Sequence, residues 1–205
     1  MARILEIVVC MTLLLTLFGL FLPRTYEAEK SMVISTSVQE VFEEVNNLKN
    51  WEQWSPWMQI DPDIKISYEG PTVVGVGAKV VWTSEHKHVG NGYQEITHVE
   101  PHKQIVLTWD VEGNYEHTTT TWTFEEQEGG KVKVTWANTG RTGFNIIKKY
   151  QHLSKAPRLE KLFGVGLRRL RRHMEYYTRQ AQSGGQHDAK AQQYGEAEDD
   201  KTIIQ

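Results

Sequence analysis

The hydrophobic and polar positions divide the chain into three unlike segments. An apolar run extends over residues 4–22, with Glu6 as its one charged residue, and a mixed segment follows over residues 26–182. Residues 183–205 are polar and carry an acidic cluster. Such a tail cannot bury enough apolar surface to offset the entropy that it would lose on ordering. The pattern predicts an N-terminal transmembrane anchor over residues 1–25, one folded domain, and a disordered acidic tail.

The apolar run has the length of a membrane-spanning helix. As an α-helix it would extend roughly 28 Å, close to the ~30 Å hydrocarbon thickness of a bilayer. A cleaved signal peptide and a helix buried in the fold are the alternatives, but the sequence PRTYEAEKS after the run offers no A-x-A cleavage pattern. Arg3 and the amino terminus on one side nearly balance Arg24 and Lys30 on the other. We therefore expect an uncleaved single-pass anchor, and the charges favour neither side of the membrane for the domain.

The first part of the mixed segment predicts a strand followed by a helix. Residues 26–35 have strand character, and Ser37 with Glu40 three residues later has the spacing of a capping box. An apolar face at helical spacing follows, made of Val38, Val41, Phe42 and Val45. Pro56 and Pro62 end the short tryptophan-rich stretch that comes next.

Residues 64–139 alternate between apolar and polar positions and are divided by turn residues, such as Gly70-Pro71. The alternation predicts strands at residues 64–68, 79–84, 89–100, 104–111, 117–126 and 131–139. Connections this short permit only antiparallel hairpins. Within one strand, Ile105, Leu107 and Trp109 share a face that is apolar. One side of the sheet therefore needs a cover.

An amphipathic helix over residues 156–180 is predicted to be that cover. Its apolar positions recur at three- and four-residue steps: Leu159, Leu162, Phe163, Leu167, Leu170 and Met174. The arginines and lysines between them either form a hydrated face or contact anionic lipid headgroups. This order of elements predicts an α+β fold, in which a curved antiparallel sheet of about seven strands wraps a long C-terminal helix.

These residues resemble the helix-grip fold of the START-like, or SRPBCC, superfamily, and particularly its polyketide cyclase/dehydrase-like branch. The resemblance covers residues 26–177. It rests on Trp51-x-x-Trp54-Ser55-Pro56-Trp57, Tyr68-x-Gly70, Gly75-x-Gly77-Ala78 with Trp82, Gly90-x-Gly92 with Ile96, Thr135-Trp136, and Gly164-x-x-Leu167. It implies an internal cavity between sheet and helix. The superfamily includes lipid carriers, ring cyclases, dehydratases, hormone receptors and cochaperone-like modules, so the resemblance implies the fold more closely than the function.

Tryptophan is the residue type that most suggests a binding site. All seven tryptophans lie between Trp51 and Trp136. They either line an apolar cavity or fill the core, since large aromatic side chains do both. From strand parity and the implied cavity, we predict ligand-binding residues at Trp57, Trp82, Gln94, Trp109, Thr120, Trp122, Trp136, Leu162 and Phe163. Trp57 would be either a gate at the cavity mouth or a plug that seals the edge of the sheet.

Other candidate chemistry is sparse. His86 and His88 are two residues apart, but they fall near a hairpin tip and no third ligand follows at a suitable spacing, so no metal site is predicted. Gln94 and Thr118 would point into the cavity by strand parity. Glu95 would become an internal general base only if a bulge shifted the register. The chain has no nucleophile motif and no glycine-rich phosphate loop, and no cofactor is predicted.

Composition narrows the functional classes. One cysteine excludes an internal disulfide framework and a cysteine-based zinc site, and a net charge of -3 argues against a nucleic acid partner. The favoured hypothesis is a membrane-anchored domain that binds a small hydrophobic or lipid-like ligand. The alternatives are a polyketide cyclase- or dehydratase-like enzyme and a protein-interaction module with a closed cavity. The sequence leaves open whether the chain catalyses a reaction.

Overall fold

A computed structural model describes residues 1–87, 89–112, 117–141 and 145–182. The strands are β1 (Thr25–Ile34), β2 (Lys65–Glu69), β3 (Lys79–Thr83), β4 (Gly92–Glu100), β5 (Gln104–Val111), β6 (His117–Gln127) and β7 (Lys131–Arg141). The helices are α1 (Ala2–Phe21), α2 (Val38–Asn46), α3 (Trp51–Trp54), α4 (Trp57–Ile60) and α5 (Ile146–Gln182), with a 3-10 turn at Leu48–Asn50. The predicted acidic tail and His88 lie outside the described residues.

The strands form one antiparallel sheet in the order β1-β7-β6-β5-β4-β3-β2. Consecutive strands from β2 to β7 are neighbours, and β1 pairs with β7, so the chain crosses the whole sheet through α2, α3 and α4 before β2 begins. A register shift between Ile96 and His98 marks a bulge in β4, and bulges bend a sheet. The predicted α+β helix-grip fold, with a curved sheet and a long C-terminal helix, is confirmed.

Local signals in the sequence explain the start of α2 and the faces of β5. Ser37 Oγ accepts a hydrogen bond from the Glu40 backbone N–H at 3.2 Å, and the Ser37 N–H donates to Glu40 Oε2 at 3.1 Å. This is the predicted capping box, and it satisfies donors that the first turn of α2 would otherwise leave open. On β5, Ile105 and Leu107 are fully buried while Thr108 is exposed, as alternation predicts.

The centre of the core is a stack of aromatic rings that joins the sheet to α5. Trp122 of β6 and Trp136 of β7 are cross-strand partners and stack with ring centroids 4.4 Å apart. On its other side Trp136 stacks on Phe163 of α5, also at 4.4 Å. Trp51 and Trp54 of α3 meet Trp122 edge-on, each at 5.7 Å. The tryptophan motif after α2 therefore supplies packing that closes this part of the sheet.

Glu44 of α2 fixes the position of the tryptophan motif. Its carboxylate accepts hydrogen bonds from Trp54 Nε1 at 3.0 Å and from Asn50 Nδ2 at 2.8 Å. It also lies 3.0 Å from Nε2 of His173 on α5. Because one carboxylate contacts α3 and α5 at once, it holds the short helices against the long one.

Helix α5 begins ten residues before the predicted start at Ala156, and it continues through Pro157. Proline has no backbone N–H, so it removes a hydrogen bond from the helix interior. The additional turns are stabilised by tertiary contacts, including His152, which packs edge-on against the Tyr26 ring at 4.7 Å. Helix α1 is long and apolar enough to cross a membrane, and apart from Gly19 the side chains described in it are exposed.

Candidate ligand-binding cavity

A cavity of about 1360 Å³ lies between the concave face of the sheet, the short helices α3 and α4, and one face of α5. The sheet contributes lining residues from β2 to β6, among them Ile66, Val80 and Trp82. The lining from α5 includes Leu159, which is buried, and Arg158, which is exposed. The combination of buried and exposed lining residues describes a deep pocket with a wide mouth along α5.

One transverse row of residues crosses all seven strands, and part of it forms the floor of the cavity. The row is Tyr68, Val80, Gln94, Trp109, Thr118, Gly140 and Tyr26, each paired with the next across the sheet. At its β7 position a β-carbon on Gly140 would lie 2.2 Å from Tyr26 Cε1. The Tyr26 ring therefore lies across the glycine and closes that side of the row. Tyr68, Val80, Gln94, Trp109 and Thr118 line the cavity.

Three polar groups lie on the floor of the cavity. Gln94 is 5% exposed and Thr118 is 6% exposed, and both side chains line the cavity beside Trp109. The buried Nε1 of Trp109 has no hydrogen-bond acceptor among the described residues. An unpaired N–H in an apolar pocket is costly, and a ligand acceptor would satisfy it. The floor can therefore orient a ligand as well as bury it.

Glu52 and Tyr68 form the main ionisable pair of the lining near the edge strand β2. The Tyr68 hydroxyl donates a hydrogen bond to Glu52 Oε1. Burial, together with the neighbouring Glu52 carboxylate, raises the pKa of Tyr68 above its ordinary value. The tyrosine is therefore a neutral hydrogen-bond donor throughout the physiological pH range.

The predicted site residues separate into two groups in the structure. Trp57, Trp82, Gln94, Trp109 and Leu162 line the cavity. Trp57 packs against Trp109 with ring centroids 5.7 Å apart, so it forms part of the wall next to the cavity floor. Whether Trp57 opens as a gate stays a prediction.

The structure places the other predicted residues in the packed core. Trp122, Trp136 and Phe163 belong to the aromatic stack under α3, and none of them lines the cavity. Thr120 is 1% exposed and its hydroxyl accepts a hydrogen bond from Asn138 Nδ2 at 2.9 Å. Asn138 Oδ1 in turn accepts one from the Tyr26 hydroxyl at 2.8 Å. These side chains share the correct face of the sheet, but other residues occupy the space above them.

Sequence reasoning missed several lining residues. Tyr68 and Glu52 both line the cavity, but nothing in their spacing along the sequence shows that α3 and β2 meet. Arg158 and Lys161 belong to the basic residues of α5 for which the sequence predicts either a hydrated face or contact with anionic headgroups, and both line the cavity. Their spacing with Leu162 on one helical face is the pattern that would have found them.

The acid–base candidates on β4 keep the positions that strand parity gives them. Gln94 is buried while Glu95 is its outward-facing neighbour, paired with Lys79 on β3. The bulge in β4 lies beyond Ile96, so it leaves the register at Glu95 unshifted. Among the described residues, no three His, Cys, Asp or Glu side chains lie close enough together to hold a metal ion. His86 lines the cavity rim.

Comparisons with solved structures show the same fold at low identity. Protein SA2116 from Staphylococcus aureus has a TM-score of 0.58 at 14% identity, over 76% of this chain and 97% of that one. Protein MLL2253 from Mesorhizobium loti has a TM-score of 0.54 at 14% identity, over 73% and 97%. DynU16, from the dynemicin biosynthetic locus, has a TM-score of 0.51 at 18% identity. The match covers 73% of this chain and 47% of DynU16.

Sequence comparison identifies the family of the domain. No curated protein matches the sequence. A family model described as polyketide cyclase / dehydrase and lipid transport matches residues 25–175, which run from the start of β1 into the second half of α5. Since the match includes every strand and both layers around the cavity, the chain belongs to the polyketide cyclase/dehydrase and lipid transport family of START-like proteins.

Proposed function

We propose that the chain is a membrane-anchored START-like domain that binds a small hydrophobic or lipid-like molecule in its cavity. The observation that carries this proposal is the volume of about 1360 Å³, since ordinary small-molecule pockets enclose roughly 300–1,000 Å³. The space is a cleft with a wide mouth and largely apolar walls, which is the form of a small-molecule site. The alternative of an interaction module predicts a closed cavity, and this cleft is open along α5.

Apolar burial would supply most of the binding free energy. The indoles of Trp57, Trp82 and Trp109 give the cavity large apolar walls. Removing about 300 Å² of ligand surface from water would contribute roughly 7 kcal/mol. Part of this offsets the motion that the ligand loses on binding. Gln94, Thr118 and the Trp109 N–H would then select the orientation of the ligand.

The proposed anchor is α1. Its side chains are almost all exposed, whereas a helix belonging to the core of the domain would be buried. Exposed apolar side chains such as Leu13, Leu14 and Phe18 would be costly in water over a helix of this length. A bilayer removes that cost. The mass of the mature chain tests the remaining alternative, because a cleaved signal peptide would remove α1.

Native mass spectrometry of the full chain, released from detergent micelles, tests the ligand. We expect a retained small molecule of defined mass that an added lipid displaces. Val80→Trp would place an indole beside Gln94 on the cavity floor and weaken retention of the bound species, whereas Val81→Trp adds the same side chain at the neighbouring position on the other face of β3. An empty wild-type chain that also takes up no lipid from a panel of fatty acids and phospholipids would contradict the proposal.

A cyclase- or dehydratase-like enzyme is the second candidate, and the Glu52–Tyr68 pair favours it. A carboxylate and a hydroxyl joined by a hydrogen bond at a cavity wall are groups that can transfer protons to and from a bound substrate. Glu52→Gln keeps the shape of the side chain and removes its base. Loss of turnover with unchanged ligand binding in this variant would assign the base to Glu52, and unchanged turnover would remove that role. A parent chain that turns over no polyketide-like aromatic precursor would remove this candidate.

A further inference from the structure

The last turn of α1 is capped by a side chain from α5. Helix α1 has no basic residue in its own last turn. Lys149 Nζ donates hydrogen bonds to the carbonyl oxygens of Gly19 at 3.2 Å and Leu20 at 3.1 Å. The last four carbonyls of a helix lack partners within the helix and carry the negative end of its dipole. Lys149 is only 4% exposed, so its charge is held between the two helices.

Close packing accompanies this cap. A β-carbon at Gly19 would lie 2.4 Å from Ile146 Cγ2 and 3.0 Å from Tyr150 Cε2, so only glycine permits the approach. The Tyr150 hydroxyl donates a hydrogen bond to the carbonyl oxygen of Leu15. The first turn of α5 is therefore a clamp on the end of α1, and we refer to Ile146, Lys149 and Tyr150 as the anchor clamp.

The anchor clamp lies next to the mouth of the cavity along α5. Gln151, the residue after Tyr150, already lines the cavity, and Arg158 and Lys161 continue the lining at helical spacing. Ile147, four residues before Gln151 on the same face, is 71% exposed. A basic helical face that begins with an exposed isoleucine is typical of a surface that contacts lipid headgroups.

We infer that the anchor clamp holds the cavity mouth against the bilayer that α1 crosses, with Ile147 in the headgroup region and Arg158 and Lys161 on anionic lipid headgroups. The inference rests on the membrane anchoring of the proposed function, but not on the occupancy of the cavity. Tyrosine and lysine are suited to the ends of a membrane helix, where their polar tips reach the headgroups. In this arrangement a lipid passes between bilayer and cavity without crossing water.

A depth measurement on the full chain in lipid nanodiscs tests this surface. The one cysteine, Cys10, is replaced by serine, and an environment-sensitive fluorophore is attached at Ile147→Cys or, as the control, at Thr108→Cys. Thr108 is exposed and lies between Leu107 and Trp109 on β5, so it faces away from the cavity and from α5. We expect headgroup-labelled nitroxide lipids to quench the fluorophore at position 147 and not the one at position 108.

Two sets of variants separate the clamp from the charges. Lys149→Met should reduce quenching at position 147, whereas Lys148→Met, the neighbouring lysine on another helical face, should retain it. In nanodiscs that contain phosphatidylglycerol, Arg158→Gln and Lys161→Gln should each lower the quenching of the fluorophore at position 147 about fivefold. In nanodiscs of phosphatidylcholine alone, these two variants should behave like the parent chain.

The outcomes distinguish this inference from the proposed function. A fluorophore at position 147 that stays in water while the chain is firmly inserted overturns the inference, even if the cavity binds a lipid. Strong quenching in a chain whose cavity proves empty supports the inference and contradicts the proposed ligand binding. Release of the chain from membranes by alkaline carbonate overturns the anchoring and the inference together.

Discussion

Gly166 of α5 lies directly against the indole ring of Trp136. A β-carbon at this glycine would be 2.8 Å from Trp136 Cζ3 and 3.0 Å from Pro56 Cδ. The ring of Trp136 is itself held between Trp122 and Phe163. It therefore has little room to move away from an added methyl group. The glycine sets the distance between α5 and the sheet at one end of the cavity.

Gly166→Ala should destabilise the domain by about 1–3 kcal/mol, because the added methyl overpacks a rigid aromatic stack. Gly164→Ala is the matched control, since its β-carbon would have its nearest neighbour, Arg168 Nη1, at 3.6 Å. Alanine has a higher helix propensity than glycine, so this variant should be more stable than the parent by up to about 1 kcal/mol. Urea unfolding measures both. Equal stability of the two variants would show that α5 is not held this closely.

Thr118 and Thr120 test the boundary between cavity and core, because they lie two residues apart on the same face of β6. Thr118→Val should weaken ligand binding and Thr120→Val should leave it unchanged, since only Thr118 lines the cavity. Thr120→Val should instead cost about 1–3 kcal/mol of stability, because Asn138 Nδ2 loses its acceptor. Ligand titrations and thermal unfolding of both variants give the comparison. A reversed pattern would place the ligand over Thr120, in the part of the sheet that the packed core covers.

The faces of the strands were predictable from sequence because a strand alternates with a fixed period of two. The position of the cavity along those faces was not. Trp122 and Trp109 both point to the concave side, but Trp51 and Trp54 cover only Trp122. The part of the sheet that is covered depends on where the short helix α3 packs, and no local sequence pattern encodes this packing position.

The start of α5 shows the same limit for a helix. The apolar spacing after Ala156 predicts its second part, while Pro157 suggests a beginning because proline is tolerated in a first turn. The preceding turns are stabilised by Lys149 against α1 and by His152 against Tyr26. These contacts join residues more than a hundred positions apart, so they leave no periodic trace in the sequence.

Trp109 should report ligand entry by its fluorescence, since its ring lies on the cavity floor beside Trp57. A brominated fatty acid quenches indoles on contact. We expect Trp109→Phe to remove a large part of the saturable quenching, and Trp122→Phe, which alters a fully buried ring outside the lining, to retain it. Tryptophan emission during a titration is the measurement. Loss of quenching in the Trp122 variant alone would place the quencher in the core.

The cap of α2 should make stability depend on pH in a defined direction. Hydrogen bonds from Thr36 and Ser37 to the Glu40 carboxylate hold the pKa of Glu40 below its ordinary value. A carboxyl whose pKa is lowered by folding stabilises the folded state above its unfolded pKa, about 4.3, and loses that contribution as the pH falls through the folded pKa. Glu40→Gln should therefore be less stable than the parent at pH 7, with a gap that narrows below about pH 4.

Ser37→Ala separates the cap from the charge. It should cost about 1 kcal/mol at pH 7, because the Glu40 N–H loses its side-chain acceptor. Gln39→Ala, one position before Glu40, alters an exposed side chain that takes no part in the cap and should stay within about 0.5 kcal/mol of the parent. Chemical unfolding at a series of pH values measures all three variants. A gap between the parent and Glu40→Gln that widens as the pH falls would mean that the carboxylate destabilises the fold, since only a raised pKa gives that sign.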